Sequence, residues 1–224
     1  MTVITISRQY GSGGDVLAGR VCELLGYRYF DKKLMTEVAS RAGLSEGEVL
    51  DLSEVNFKSQ SVLSRLVSLL STPAAQTPVT VAQASSWQRD TTGAQLKQVE
   101  PLTEQQAVSL MEQTLRAAYQ VGNVVIVGRG GQAVLRDMPG VLHVRVEAPL
   151  AVRIPRVAEA NRVSSSEAER LIGEHDKASA GYVKRFYKID WSDPLLYHLT
   201  INVGVWKIES AARLITDAAK HLLE

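Results

Sequence analysis

Short apolar runs alternate with amphipathic segments along this chain. The runs at residues 2–6, 27–30, 124–127, 142–146 and 199–203 have the composition of β-strands, and the first and third are apolar or β-branched throughout, as parallel strands covered on both faces are. Intervening segments, such as residues 208–223, carry apolar residues at helical spacing. Strands that alternate with helices predict a three-layer α/β sandwich around a five-stranded parallel sheet.

A glycine-rich segment, residues 7–15, follows the first predicted strand. It holds three glycines within residues 11–14, where the backbone can approach a ligand without a Cβ in the way. A helix pattern follows from Asp15, with Gly26 as its predicted stop. Backbone N–H groups and the positive end of a helix dipole then meet in one concavity, which predicts an anion site, most often for phosphate. A tight turn that binds nothing is the alternative.

The same segment departs from the Walker A pattern G-x-x-x-x-G-K-[ST]. With the second Gly placed on Gly13, the first falls on Arg8, the Lys on Gly14 and the Ser/Thr on Asp15. We expect the guanidinium of Arg8 to supply the missing cation, with fork geometry. Asp15 is either a Mg²⁺ ligand or an electrostatic conflict with the phosphates, and the sequence leaves both open.

Two charged residues follow predicted strands at the edge of the sheet where ligands gather. Asp31 comes after the second strand, where it would meet phosphate-bound Mg²⁺ or a substrate hydroxyl, or would cap the next helix. Arg129 comes after the third strand between glycines. It is predicted to face the crevice, the alternative being an Arg held by a nearby carboxylate.

Positive charge concentrates between residues 153 and 185. This part of the chain contains Arg153, Arg156, Lys177, Lys184 and Arg185. A solvated basic face is one explanation, and cations around a transferred phosphoryl group are the other. One helix is predicted to begin near Pro149, kinked or shortened by Pro155, and the next at the capping pair Ser164 and Glu167.

Composition limits the classes of protein. The 224 residues suit one domain over residues 1–224, and 25 basic against 24 acidic residues give a net charge of +1, which argues against nucleic acid as a partner. The single Cys22 excludes a disulfide framework. There is no run of about 18 apolar residues and no leader before the first strand, so we expect a cytoplasmic protein without membrane contact.

Residues 55–102 look least like a core. An apolar helical stripe at residues 59–71 precedes a stretch rich in Pro, Gln, Ser and Thr. We expect a flexible segment or a mobile cap over a substrate, with the stripe packed on the domain or, in a homodimer, on a second copy of the chain. Trp191 and Trp206 are expected to be packing anchors.

The opening of the chain contains two further motifs. Residues 4–35, ITISRQYGSGGDVLAGRVCELLGYRYFDKKLM, include S-R-x-[YF]-G-S-G-G and Y-x-[YF]-[YF]-D. With residues 125–130, 190–194 and 197–202, they resemble the cytidylate kinase-like family of the P-loop nucleoside monophosphate kinase group.

The resemblance implies a fold and a set of site residues. It implies a P-loop kinase-like sheet of order 2-3-1-4-5, an acceptor-side insert at residues 55–102 and a lid at residues 150–188. It implies that ATP with Mg²⁺ binds across residues Arg8, Gln9, Tyr10, Gly11, Ser12, Gly13, Gly14 and Asp15. It assigns Arg129 to the acceptor nucleotide and makes Arg153, Arg156 and Arg185 the lid arginines.

Three positions depart from the family pattern: Gly130 and His198 each replace an Asp, and Ser179 replaces a lid Arg. Our first hypothesis is an ATP-dependent phosphotransferase that uses Mg²⁺ and a small-molecule acceptor. Its catalytic residues would be Arg8, Asp31, Arg153, Arg156 and Arg185. The second hypothesis, favoured by the departures and by the missing Lys, is a nucleotide-binding regulatory module with weak or no turnover.

Overall fold

A parallel five-stranded sheet forms the centre of the molecule. The computed structural model describes residues 2–30 and 104–222, in which the strands are β1 (Val3–Arg8), β2 (Arg28–Phe30), β3 (Val124–Val127), β4 (Val141–Glu147) and β5 (Leu199–Asn202). Their order is β2-β3-β1-β4-β5, and every neighbouring pair is parallel. The predicted sheet and its order are confirmed.

Helices cover the sheet. They are α1 (Gly14–Leu25), α2 (Glu104–Val121), α3 (Gly131–Val134), α4 (Leu150–Asn161), α5 (Ser165–Tyr187) and α6 (Ile208–His221), with a short 3₁₀ helix at Pro194–Leu196. The predicted strands at residues 27–30, 142–146 and 199–203 agree with β2, β4 and β5 to within a residue at each end.

Alternation along β1 divides the core into two layers. Ile4 and Ile6 pack with Leu17 of α1 and Ile215 of α6 on one face. Val3 points to the other face, where it packs in the cluster formed with α2 and α3. All of these side chains are almost fully buried, which stabilises each by roughly 1.5–3 kcal/mol relative to exposure. This arrangement confirms the three-layer prediction.

The helix boundaries follow local chemistry. Gly26, with φ of 67°, ends α1 as predicted, and the Oγ of Ser164 accepts the N–H of Glu167 at 3.2 Å, which confirms the predicted start of α5. The expected shortening at Pro155 is wrong, because α4 continues to Asn161. Pro155 lies on the exposed side, where water can bind the carbonyl that lacks its N–H partner.

Several predictions fall outside the described ranges. Asp31 and residues 55–102 are among them, so their placement stays a prediction. Within residues 2–30 and 104–222, the helices are too short or too polar to cross a membrane.

The position of β1 determines where a ligand can bind. It lies between β3 and β4, and the helices that follow β1 and β3, α1 and α3, pack in the two different core layers. In open parallel sheets, the crevice at the carboxyl end of such a strand is the usual binding place. Arg8 is the last residue of β1, so this crevice begins at Arg8.

The buried His143 makes stability depend on pH. Its Nδ1 is 2.6 Å from the Oγ1 of Thr5, and burial, with a smaller effect of nearby His198, lowers the pKa of His143 from 6.5 to about 4. The unfolded chain therefore takes up this proton first as the pH falls, and stability that is fully present above pH 6.5 is lost between pH 6.5 and 4. We expect the free energy of unfolding, from urea titrations, to be about 2 kcal/mol lower at pH 5 than at pH 7 because of this group.

The control for this expectation is His143→Gln compared with His221→Gln. His221 is exposed, so its replacement should preserve the pH dependence. An unchanged difference between pH 5 and pH 7 in His143→Gln would contradict the assignment.

Candidate functional site

The connection from β1 to α1, residues 9–13, is here called the glycine turn. Gly11 and Gly13 have φ of 74° and 88°, a left-handed conformation that favours glycine. A Cβ on Gly11 would lie 2.4 Å from Cγ2 of Val157, so glycine is needed for the close contact with α4. Gly13 is the N-cap of α1 and provides no side-chain cap. The first-turn N–H groups of α1 are therefore available to an anion.

Ser12 provides a second indication of an anion at this place. Its side chain is fully buried, and its Oγ has no hydrogen-bond partner among the described residues. The Oγ lies 3.5 Å from the position of a Cβ on Gly14, next to the first turn of α1. A buried hydroxyl without a partner is unfavourable by about 1–3 kcal/mol, which an accepting phosphate oxygen would remove. These residues fit the phosphate chain of a nucleotide.

Arg8 lies beside the first turn of α1. Its Nε donates to Oδ1 of Asp15 at 3.1 Å, and its Nη1 is 2.5 Å from the position that a Cβ on Gly128 would take. The guanidinium thus lies between α1 and the end of β3. The supply of a cation by Arg8 stays a prediction, but the side chain is in the place that this role requires.

Asp15 faces Arg8, and its side chain is 62% exposed. In residues 2–30 and 104–222, there is no group of three or more His, Cys, Asp or Glu that could hold a metal. Mg²⁺ is commonly held by one or two carboxylates together with nucleotide phosphates and water. Asp15 fits this arrangement as a single ligand, and its metal role stays a prediction.

The helices of the predicted lid, α4 and α5, here called the lid helices, contact the glycine turn through charged side chains. Nη1 of Arg153 donates to Oδ2 of Asp176 at 2.6 Å and to the carbonyl of Tyr10 at 3.2 Å. Nη1 of Arg156 donates to the carbonyl of Ser12 at 2.7 Å. Oδ1 of Asp176 accepts the N–H of Tyr10 at 2.9 Å. The structure thus brings two of the three predicted lid arginines to the turn.

Side chains of the turn complete this attachment. The ring of Tyr10 stacks on His175 of α5 with centroids 4.1 Å apart. Oε1 of Gln9 accepts the N–H of Ala148 at 3.1 Å. Both side chains therefore fix the turn to its surroundings, and the parts of the turn that remain for a ligand are its backbone and the Oγ of Ser12.

A cleft of about 410 Å³ opens next to Arg8. It is lined by Ser7, Arg8, Val127, Gly128, Arg129, Gly130, Gln132, His175, Ala178, Ser179, Tyr182, Val183 and Trp191. Gly128, Arg129 and Gly130 have φ of 73°, 57° and 70°. Three successive left-handed residues are uncommon, and such backbone is found mostly at ligand sites. Arg129 is thus placed at the crevice, as predicted from its position after a strand.

Arg145 is a buried residue behind the cleft that the sequence reasoning missed. It is 4% exposed, its Nη1 donates to the carbonyl of Trp191 at 2.6 Å, and its guanidinium lies 4.2 Å from the Trp191 ring centroid. Nε1 of Trp191 donates to Oγ of Ser7 at 2.7 Å. Arg145 therefore fixes one wall of the cleft. The available signal was a charged residue inside an apolar strand.

The space beside Gly130 is filled by aromatic residues of α5. A Cβ on Gly130 would lie 2.7 Å from Cε2 of Tyr187, so the Asp of the family pattern does not fit here. Burial raises the pKa of the Tyr187 hydroxyl, which stays neutral. The space that an Asp side chain would need at position 130 is therefore occupied by Tyr187, 57 residues later in the chain.

Two residues, Arg185 and Trp206, do not lie where the sequence analysis expected them. Arg185 lies in the last turn of α5, with its guanidinium carbon 5.3 Å from the Phe186 ring centroid, and is not among the described residues that line the cleft. Trp191 is a packing anchor as expected, but this expectation is wrong for Trp206, whose surface is 48% exposed and whose loop after β5 is not covered by residues 2–30 or 104–222.

Comparisons with known proteins support the fold and the family. A family model described as the cytidylate kinase-like family matches residues 3–205. The cytidylate kinase of Aeropyrum pernix is 34% identical over 100 residues, which are 45% of this chain and 58% of that protein. That of Pyrococcus horikoshii is 32% identical over 105 residues, 47% of this chain and 54% of that protein. The match thus spans about half the length of these relatives.

Solved structures agree on the fold. An uncharacterized protein from Eubacterium ventriosum has a TM-score of 0.63 at 19% identity, covering 98% of this chain and 99% of that one. Shikimate kinase from Bacteroides thetaiotaomicron has a TM-score of 0.50 at 13% identity, covering 98% of both chains. At these identities, the likeness shows a P-loop kinase-type fold.

The attachment of the lid to the glycine turn leads to a prediction for Asp176. Replacing Asp176 by Ala removes the acceptor of the Tyr10 N–H and leaves Arg153 unpaired in a largely buried place. We expect faster hydrogen exchange of the Tyr10 amide and a loss of roughly 1–3 kcal/mol in the free energy of unfolding.

The matched control is Glu174→Ala on the same helix. Glu174 is 58% exposed and pairs only with Arg170 among the described residues, so its loss should leave the Tyr10 amide protected. Equal exchange in the two variants would mean that Asp176 does not hold the turn.

Proposed function

Because the chain belongs to the cytidylate kinase-like family, we propose that it transfers a phosphoryl group from ATP to a small acceptor held in the cleft, with nucleoside monophosphates as the first class to test. The observation that carries this proposal is the position of Arg8. The uncapped start of α1 lies on one side of this side chain, and the cleft lies on the other.

The geometry suits phosphoryl transfer because that reaction requires mainly positioning and positive charge. Bound ATP with Mg²⁺ would supply the activated phosphoryl group. The first turn of α1 and Ser12 would hold its phosphates, with Asp15 near the metal. Arg8 would face the transferred group, and Arg129 would bind the acceptor. Arg153 and Arg156 fix the shape of the turn on which this depends.

The loop after β5 offers a surface for the base of the donor nucleotide. Val205 is 80% exposed and Trp206 is 48% exposed. This loop lies beside the glycine turn, since Ile208 Cδ1 is 3.7 Å from the position of a Cβ on Gly13. Exposed apolar and aromatic side chains next to a phosphate site suit a flat heterocycle, which would stack on Trp206.

One observation favours the second function, a nucleotide-binding module without turnover. Arg153 is paired with Asp176, and Arg156 donates to the carbonyls of Ser12 and Val203. Neither guanidinium is free to follow a moving phosphoryl group unless these contacts break. Saturable ATP binding without product from any acceptor would select this second function.

The direct test is an assay with ATP·Mg²⁺ against CMP, the other nucleoside monophosphates and small alcohols. In the proposed enzyme, Arg129→Ala should raise the acceptor KM by about tenfold to a hundredfold, the value of one or two charge-assisted hydrogen bonds, and change the KM for ATP little. Arg136→Ala is the matched control, because Arg136 is exposed and lies outside the cleft. An unchanged acceptor KM in Arg129→Ala would contradict the assignment of this residue.

A second assay tests the donor surface. Trp206→Ala should raise the KM for ATP about tenfold, because base stacking on an aromatic side chain contributes about 1–3 kcal/mol, and Trp206→Phe should retain most of this. Leu195→Ala is the control for loss of an exposed apolar side chain, since Leu195 is 86% exposed. Equal KM values for ATP in Trp206→Ala and Leu195→Ala would place the base elsewhere.

A further inference from the structure

Positions 8 and 14 are so close that only one of them can carry a side chain. A Cβ on Gly14 would lie 2.5 Å from Cβ and 2.8 Å from Cγ of Arg8, whereas real Cβ contacts are essentially never below 3.0 Å. The next neighbour, Oγ of Ser12, is at 3.5 Å, an ordinary contact distance. Arg8 alone therefore excludes a side chain at position 14.

In the standard phosphate loop, the Walker A pattern, the glycine and the residue with a side chain stand the other way round at these two positions. Its first Gly corresponds to position 8 and its Lys to position 14. This chain has Arg8 and Gly14 instead. We infer that the two differences are one reciprocal exchange. The phosphate-binding cation has moved from the first turn of α1 to the end of β1, and Gly14 is the glycine that this move requires.

Two further residues border Arg8. A Cβ on Gly128 would lie 2.5 Å from Nη1 of Arg8, so a side chain there would displace the end of the Arg8 side chain. Asp15, which stands in the Ser/Thr position of the pattern, accepts the Nε–H of Arg8 at 3.1 Å and so orients the guanidinium. Asp15 is in this respect a positioning residue for Arg8, which it contacts through Nε and not through the Nη groups.

The exchange also changes the kind of contact that the cation can make. A Lys on α1 would reach the phosphates as a point charge, whereas the planar fork of Arg8 can bind two oxygens at once. Because Arg8 lies between the first turn of α1 and the cleft, one of these oxygens can belong to the polyphosphate chain and the other to an acceptor in the cleft. The ligand class is a polyphosphate. The inference rests on the proposed function in one respect only, namely that the glycine turn binds a polyphosphate.

The experiment varies which of positions 8 and 14 carries a side chain, and it does not require turnover. The variants are Arg8→Gly, Gly14→Ala, Gly14→Lys and the double variants Arg8→Gly/Gly14→Lys and Arg8→Gly/Gly14→Ala. Binding of inorganic tripolyphosphate and of ATP·Mg²⁺ is measured by calorimetry, and stability by urea unfolding. Gly19→Ala is the matched stability control, because it lies in the same helix and a Cβ there meets nothing within 4 Å.

The reciprocal exchange predicts a specific pattern. Gly14→Ala and Gly14→Lys should unfold at lower urea than Gly19→Ala, and Arg8→Gly should restore the stability of both. Arg8→Gly should weaken tripolyphosphate binding about tenfold or more, the value of lost charge-assisted hydrogen bonds, and Arg8→Gly/Gly14→Lys should recover most of it. Arg8→Gly/Gly14→Ala should recover stability without recovering affinity.

Each contrary result has a defined meaning. Equal stability of Gly14→Ala and Gly19→Ala would overturn the mutual exclusion, and this comparison remains decisive if the Lys variants do not fold. Tripolyphosphate binding by Arg8→Gly as tight as in the unmodified chain would overturn the role of Arg8. The predicted binding pattern without transfer to any acceptor would support the exchange and contradict only the proposed enzymatic function.

Discussion

The pairing of β1 on both of its edges is the constraint on which the remaining structure depends. Residues of β1 pair with β3 on one side and β4 on the other, and its side chains are buried on both faces up to Ser7. Buried backbone groups must keep their hydrogen bonds, so this strand can change little along its length. Only its carboxyl end is open, and Ser7 and Arg8 lie there. The site is therefore built on a strand that is held on both edges, which suits a function that depends on placing charges accurately.

The glycine turn obtains its shape from contacts with the lid helices and not from caps of its own. Asp176 accepts the N–H of Tyr10, and the guanidiniums of Arg153 and Arg156 hold its carbonyls. A largely buried ion pair such as Arg153 with Asp176 loses much of its Coulombic gain to desolvation, so its value lies in the geometry that it fixes. Because the same side chains hold both α4 and α5 and the turn, a displacement of either helix changes the shape of the glycine turn directly.

Contacts between neighbours in sequence were predictable, and contacts across the fold were not. Apolar periodicity gave the strands and helices, and the resemblance gave the sheet order. The glycine-rich segment indicated Arg8, and its position after a strand indicated Arg129, as residues of the crevice. The closeness of Arg8 and Gly14 follows from the path of the turn, which spacing does not encode. The stack of Arg145 on Trp191 joins residues 46 positions apart. Exposure of Trp206 likewise depends on which elements cover its loop, and that is a tertiary property.

The absence of a lid arginine at position 179 distinguishes this site from the family pattern. Where the pattern has a lid Arg, this chain has Ser179, which lines the cleft without charge. The arginines that line the cleft, among the described residues, are Arg8 and Arg129, and both stand at strand ends. A cation on a lid must be brought in by closure, at a cost in conformational entropy, whereas a strand-end cation oriented by Asp15 is in place before the ligand arrives. Under the proposed function, charge supplied by the sheet edge would make binding of a polyphosphate less dependent on movement of α4 and α5. The position of Arg8 also explains the glycine at position 14, where a Cβ would lie 2.5 Å from Cβ of Arg8.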